Sequence, residues 1–267
     1  MNRHTLTDIQ WERLAPLLPA ERPKKRGRPY HSHRMILNGI LWILATGAPW
    51  RDLPAGYGPW STVANRFYAW QRSGLWNQIL ISLQQAANEC RAIDWSLHYV
   101  DGTVIRAHQH AAGARKGGGD EALGRSQGGF STKLHLRSEG HGKPLVVLLT
   151  AGQRHEQTMF EPLMEAGRIH RVHGGRPRQR PKRVAGDKGY SSRRTRQYLQ
   201  RKGIGAVIPH KRNERRGRFD RAAYRERNRV ERTINRLKHF RRVATRYEKR
   251  AVHYLAMVLI AVILLWL

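Results

Sequence analysis

A single cysteine, Cys90, in 267 residues excludes an internal disulfide and any zinc site built from several thiolates. Acid is scarce as well: 19 Asp and Glu stand against 50 Lys and Arg, a formal charge of +31. No GxxxxGK[ST] loop for cradling nucleotide phosphates occurs, and no G-x-S-x-G elbow for a serine nucleophile. The opening stretch MNRHTLTDIQWERL has no apolar run of the secretory kind, so a cytoplasmic setting is expected. Long apolar runs are missing except at the C-terminus, where Ala251 to Leu267 is broken only by His253. Seventeen residues sit at the short limit of a membrane span, and the same run also reads as a buried helix that closes a core.

The excess of positive charge is unevenly placed. Residues 1–94 carry 12 Lys and Arg against 6 acids, residues 95–167 carry 8 against 7, and residues 168–250 carry 30 against 6. A bias of this size points to a polyanionic partner. A membrane anchor at the C-terminus would sit awkwardly beside a site that threads nucleic acid, so the expectation is a buried helix and no membrane.

Thr7 to Gln10 has the S/T-x-x-E/Q form of a capping box, which predicts a helix over Asp8 to Leu18. The basic arm PKKRGRPY follows; Arg26 and Arg28 in its Arg-Gly-Arg-Pro core suit a narrow A·T minor groove, and a solvated linker fits the same residues. Helices are predicted over His33 to Thr46, ending at Gly47, over Thr62 to Arg72 with Ser61 as cap, and over Leu75 to Cys90. The third would expose Asn65, Arg66, Gln71 and Arg72 and bury Val63, Phe67 and Trp70. Such an array suits a small all-α helix-turn-helix-like DNA-binding domain over residues 1–94, and an ordinary helical bundle has the same pattern.

From Trp95 the periodicity changes. Strands are predicted over Leu97 to Arg106, Thr132 to Arg137, Lys143 to Thr150, Val184 to Asp187 and Ala206 to Pro209, with helices over Gln157 to Ile169 and Ser192 to Lys202. Asp220 to Lys249 reads as one long helix. Three meandering strands followed by helix, strand, helix, strand, helix is the order of an RNase H-like α/β domain over residues 95–250. The glycine-rich segment 113–129, which contains Arg115, Lys116 and Arg125, is long enough to be functional.

Two aspartates, Asp101 in HYVDGT and Asp187 in RVAGDKGY, each end a predicted strand. On the long helix Tyr224, Arg227, Glu231 and Lys238 fall within roughly 60° of arc, beside an apolar stripe of Val230, Ile234, Leu237, Phe240 and Ala244. Glu231 would complete a set of three carboxylates. Converging carboxylates repel unless cations balance them, and Mg2+ suits all-oxygen ligands that also accept phosphate. Two such ions can serve an in-line displacement at phosphorus. Arg225, Arg229, Arg232 and Arg236 form a second cationic stripe for phosphates. His108 and His110 form an H-x-H that lacks a third soft ligand nearby, and Glu156 is either an outer acid of the site or a favourable charge at a helix start.

The order of these carboxylates and the spacing Y-x2-R-x3-E-x6-K resemble the DDE transposases of insertion sequences of the IS4/IS5 type. LNGILWILATGAPWRDLPAGYGPWSTV is similar to the DNA-binding region of IS5-family enzymes. The resemblance implies an RNase H-like fold, Asp101, Asp187 and Glu231 as catalytic and metal-holding residues, Mg2+ (with Mn2+ as substitute) as cofactor, and a homodimer or higher oligomer on DNA. Terminal inverted repeats and target DNA are the implied substrates. The expected DNA contacts are Arg26, Arg28, Asn65, Arg66, Arg72, Arg125, Lys133, Lys188, Tyr224, Arg227 and Lys238. Ser191 stands where such enzymes often carry an acid; as a helix cap it would be no loss. A catalytically inactive regulator, a structure-selective nuclease and a basic membrane protein are the competing readings.

Overall fold

The computed structural model describes residues 4–21, 31–112, 121–126, 128–212, 214 and 219–267. Arg26, Arg28, Arg115 and Lys116 lie outside the described residues.

Four helices open the chain: α1 (Asp8–Leu14), α2 (His33–Thr46), α3 (Trp60–Arg72) and α4 (Leu75–Glu89). The capping box forms as the sequence predicts, with the Thr7 hydroxyl accepting from the Gln10 N–H and the Gln10 side chain accepting from the Thr7 N–H. Ser32 caps α2, and Gly47 ends it in the left-handed region at φ 72°, a conformation that costs a residue with a Cβ. The predicted cap of α3 is corrected. Helix α3 begins one residue before Ser61, with Pro59 at the cap position, because a proline there lacks only an N–H that a helix start leaves unpaired anyway.

A mixed sheet follows. Strand β1 (Leu97–Ala107) pairs antiparallel with β3 (Gly129–Ser138), which pairs antiparallel with β4 (Pro144–Ala151) and with the short β2 (Gly124–Ser126). On its other edge β1 runs parallel to β5 (Arg183–Ala185), and β5 to β6 (Gly205–Val207). Helices α5 (Phe160–Ala166) and α6 (Arg193–Lys202) make the crossovers. Helix α5 is shorter than the sequence predicts: a 3-10 turn over Glu156–Met159 precedes it, and Ile169 leaves the helix to form a bridge with Arg178.

The single long helix expected over 220–249 is not there. In its place stand α7 (Arg221–Arg225), α8 (Asn228–Lys238), α9 (Arg241–Ala244) and a strand β7 (Thr245–Arg246) parallel to the end of β1. The first joint is a tightening, since Arg227, Arg229 and Val230 donate three residues back rather than four. The second is a true break at Phe240, whose backbone is extended at φ −79° and ψ 109°. Arg246 explains why the chain turns into the sheet. Its side chain is fully buried and its guanidinium donates to the carbonyls of Glu121, Ala122, Glu248 and Lys249 and to the Thr132 hydroxyl, acceptors that a continuing helix would not offer.

Helix α10 (Ala251–Trp266) is buried along most of its length, and none of the helices is long and apolar enough to cross a membrane among the described residues. It lies against β4 and also against α3 and α4. Trp266 donates its indole N–H to the Pro144 carbonyl at 2.7 Å, and Arg13 of α1 donates to the Trp266 carbonyl at 3.1 Å. The N-terminal helices and the sheet therefore share one hydrophobic core. Met257, fully buried in α10, provides a test: Met257→Ala should cost about 2–5 kcal/mol of unfolding free energy. Removal of residues 251–267 should leave α4 and β4 uncovered and drive aggregation, visible in sedimentation. A soluble truncated chain with a native circular-dichroism spectrum would contradict this packing.

Candidate active site

The register of β1 against β5 brings the first two carboxylates together. Parallel pairing runs from Leu97 with Arg183 to Tyr99 with Ala185; Asp101 lies two residues further along β1 and Asp187 two residues past the end of β5. Asp101 is in mid-strand, not at the strand end that the sequence suggests, because pairing with β3 continues through Arg106. Asp187 caps the 3-10 turn Lys188–Tyr190 and accepts from the Gly189 N–H at 2.9 Å. Asp101 Oδ1 accepts from the Gly102 N–H at 3.0 Å.

Two clamps set the helices that carry the rest. Asp220, which caps α7, pairs with Arg183 of β5 at 2.9 Å. On α8 the Thr233 hydroxyl donates to the Gly142 carbonyl at 2.7 Å and Arg229 Nη1 to the Gly140 carbonyl at 2.9 Å, tying that helix to the β3–β4 turn. Val230, Ile234 and Leu237 are buried as the apolar stripe requires, while Phe240 and Ala244, past the break or at it, are only half-buried.

Arg227, at the joint between α7 and α8, reaches both ways. Its Nη1 lies 3.4 Å from Asp101 Oδ2, and its Nη2 donates to Glu231. Asp101 is the more enclosed partner, with 14% of its side chain exposed against 47% for Glu231. Burial pushes the Asp101 carboxyl up to about 6; Arg227 and the Gly102 N–H pull it down, and Asp187 and Glu156 push it further up. Burial works against the Arg227 charge, but Asp101 and Glu231 outweigh it and raise its pKa. Glu231 thus meets Asp101 through a guanidinium and not directly. Among the described residues no three His, Cys, Asp or Glu side chains converge closely enough to hold one ion. The donors around Asp101 and Asp187 are carboxylate oxygens beside two small glycines, a set that suits a hard divalent cation.

The remaining expected contacts divide in two. Asn65 and Arg72 on α3, Arg125 on β2 and Lys188 beside Asp187 are exposed; Tyr224 and Lys238 are half-buried. Arg66 is engaged inside the protein, its Nη1 3.0 Å from His33 Nε2 and its guanidinium 5.6 Å above the Trp70 ring. Lys133 is paired, with Nζ 3.4 Å from Glu156 Oε1. Glu156 is the residue whose place sequence reasoning left undecided. The His108 and His110 rings meet edge to face with centroids 4.5 Å apart, and the Tyr247 ring lies 5.1 Å from His108. Ser191 is buried and donates to Glu214 Oε2 at 2.6 Å; the cap of α6 is Ser192 instead.

With this geometry in view, the two families that match the chain give one class. Residues 97–266 match the family described as "Transposase DDE domain", and residues 6–80 match "Putative transposase of IS4/5 family". The chain belongs to the DDE-domain transposases of insertion sequences. It is 39% identical over 114 residues to "Uncharacterized protein y4sN" of Sinorhizobium fredii, covering 43% of this chain and 86% of that one. An "Insertion element IS402 uncharacterized 16.2 kDa protein" of Burkholderia cepacia is 37% identical over 115 residues, covering 40% and 76%. The "Putative transposase for insertion sequence element IS402" of the same organism is 37% identical over 120 residues, 45% of this chain and 55% of that protein.

The raised Asp101 carboxyl has a consequence for stability. Between about pH 4 and 6 the folded chain keeps a proton that the unfolded chain has released, so this group lowers stability as pH rises through that window. Asp101→Asn should therefore be more stable than the parent at pH 7.5 in EDTA, by on the order of 2–3 kcal/mol, with the gap closing near pH 4. Chemical denaturation at the two pH values measures it, and a variant less stable at pH 7.5 would contradict the cause given.

Proposed function

We propose that the chain binds the terminal inverted repeats of an insertion sequence, hydrolyses a DNA strand at the element's end, and joins the freed 3′ hydroxyl to target DNA. The carrying observation is the approach of Asp101 and Asp187 along neighbouring strands, with Arg227 linking Asp101 to Glu231 in a Y-x2-R-x3-E-x6-K array. In this reading Asp101, Asp187 and Glu231 hold Mg2+, or Mn2+ in its place. Bound there, the ion would neutralise charge on the phosphate and lower the pKa of an attacking hydroxyl.

The chain's own groups do the rest. Arg227 is half-buried, and once Glu231 turns toward the aspartates its guanidinium is available to a phosphate oxygen. Lys188 and Lys238 flank the carboxylates and track the backbone; Tyr224, whose ring lies 5.8 Å under the Arg227 guanidinium, holds that arginine in place. The N-terminal helices, residues 1–94, select the end, with Asn65 and Arg72 facing solvent on α3, Arg26 and Arg28 adding affinity and Arg125 adding a contact beside the sheet. Residues 95–250 form the RNase H-like catalytic domain and residues 251–267 its apolar closing helix. Two ends brought together call for a homodimer or larger assembly on the DNA, in the cytoplasm.

Asp101→Ala, Asp187→Ala and Glu231→Ala should each reduce Mg2+-dependent nicking of end DNA to background while leaving end binding within a few-fold, because carboxylates hold cations but repel phosphate. Glu231→Ala with substantial nicking would remove that residue from the set. For the end-selecting helices the whole chain is the right material, since α10 covers α4. Asn65→Ala and Arg72→Ala should each lower the preference for repeat over scrambled DNA by about 1–3 kcal/mol if the side chain reads a base edge; unchanged preference in competition gel shifts places selectivity elsewhere.

A further inference from the structure

Helix α8 has three sides, and the catalytic reading uses one of them. Val230, Thr233, Ile234 and Leu237 are buried. Arg227 at its cap and Glu231 make the edge that is linked to Asp101. The third side faces solvent: Asn228, Arg232, Asn235, Arg236 and His239 are all exposed. At about 100° of rotation per residue these five fall within roughly 100° of arc, opposite the buried positions, and Glu231 stands roughly 40° beyond Asn235.

The cationic stripe read from the sequence is thereby redrawn. Arg229 leaves it, since its guanidinium pairs with Glu226 at 2.7 Å and donates to the Gly140 carbonyl, and Arg225 lies before the joint, on α7. What remains on α8 carries no acid, and among the described residues none of the five side chains makes an ion pair or a hydrogen bond. Cations on α6 are treated differently: Arg194 meets Glu161 at 2.6 Å, Arg196 meets Glu214 at 3.4 Å and Lys202 meets Glu165 at 2.9 Å. A face kept only for solubility would gain from acid and base four residues apart, whereas asparagine weakens a helix because its amide competes for backbone hydrogen bonds. Two arginines beside two asparagines, with no acid among them, are instead a donor set that phosphate oxygens accept from.

Resting on the reading that DNA is cut beside Glu231, we propose that this outward face of α8 grips the phosphate backbone of duplex DNA next to the scissile bond, Arg232 and Arg236 by charge and Asn228 and Asn235 through their amides. Charge complementarity names the occupant, and the shared helix names the place: grip and carboxylate sit on one element, tied to the β3–β4 turn through Thr233. Phosphate contacts fix register and orientation but carry no sequence information. The face is therefore a positioning surface, and selection of the end stays with α3.

Hydroxyl-radical footprints and salt titrations of the full-length protein, on a duplex spanning the element's end and flank, test this in EDTA, where binding is read apart from cleavage. Arg232→Ala/Arg236→Ala should lose protection at the boundary and keep it inside the repeat. Its plot of log affinity against log salt should be shallower by about two, at roughly 0.9 per lost phosphate contact, and its affinities for repeat and scrambled DNA should fall by the same factor. Its melting temperature should match the parent's, because both side chains touch only solvent; should it melt early, Arg232→Gln/Arg236→Gln decides in its place. Asn228→Ala/Asn235→Ala should weaken the same protection and leave the slope alone. Arg193→Ala/Arg201→Ala removes two exposed cations of α6 as a matched loss of charge, and should keep the boundary footprint. If the parent protects the boundary and nicks it with Mg2+ while Arg232→Ala/Arg236→Ala shows the same slope and footprint, the face is only solvated and this proposal alone is overturned. An equal loss from the α6 pair overturns it as well, as an effect of net charge. A parent that gives no protection at the element's end overturns the reading above and this proposal with it.

Discussion

Like charges brought close inside a protein set the terms for everything else in this molecule. Two carboxylates about 4 Å apart repel by about 4 kcal/mol at an effective dielectric near 20, and here Asp101 and Asp187 come off the neighbouring strands β1 and β5 while Glu156 lies beside Gly102. The fold answers with cations delivered from different directions: Arg227 from the joint of α7 and α8, Lys133 from β3. The Asp220 to Arg183 pair and the Thr233 to Gly142 bond exist on this view to hold the helices that carry that guanidinium. Burial first, with Asp187 and Glu156 adding to it, holds the Asp101 carboxyl near 6 in spite of Arg227. A site in that condition is prepared to take up positive charge, which is the chemistry that phosphoryl transfer requires of it.

The same economy of parts joins the N-terminal helices to the sheet. Helix α10 lies between the N-terminal helices and the sheet, and the buried pair of Arg242 Nε with Glu248 Oε1 at 2.6 Å stands beside the Arg242 bond to the Ala48 carbonyl at 2.6 Å. Such a buried pair costs solvation and repays it through geometry more than through net stability. The N-terminal helices are therefore joined to the sheet through packed side chains rather than through a free linker between 94 and 95.

Where local chemistry decides, the sequence was readable. Helix α2 runs over His33–Thr46 and stops at Gly47, the capping box marks the start of α1, and the first three strands of the expected meander stand as β1, β3 and β4. The motif on α8 pointed to Glu231 and Arg227, and HYVDGT and RVAGDKGY to the aspartates, but not to the arginine's position between them. Long-range bonds were not readable. The helix expected over 220–249 breaks because Arg246 finds its acceptors around residues 121, 122 and 132, more than a hundred positions away. Arg66 looked outward on a helical wheel, yet His33 and Trp70, brought beside it by the packing of α2 on α3, draw it inward. Glu156 gave only the weak signal of an acid at a helix start; its approach to Gly102 is a property of the β3–β4 hairpin and the turn beyond it.

The central claim is that these carboxylates work on the phosphodiester at the end of an insertion sequence. Incubating the full-length protein with end-labelled DNA spanning its own element's terminus and flank, with Mg2+ and with EDTA, and mapping the products on a sequencing gel, addresses it directly. The account predicts a nick at the element's boundary that leaves a 3′ hydroxyl, appears with Mg2+ or Mn2+ and vanishes in EDTA. Cleavage that persists in EDTA, or uniform nicking along both repeat and scrambled DNA, would contradict it.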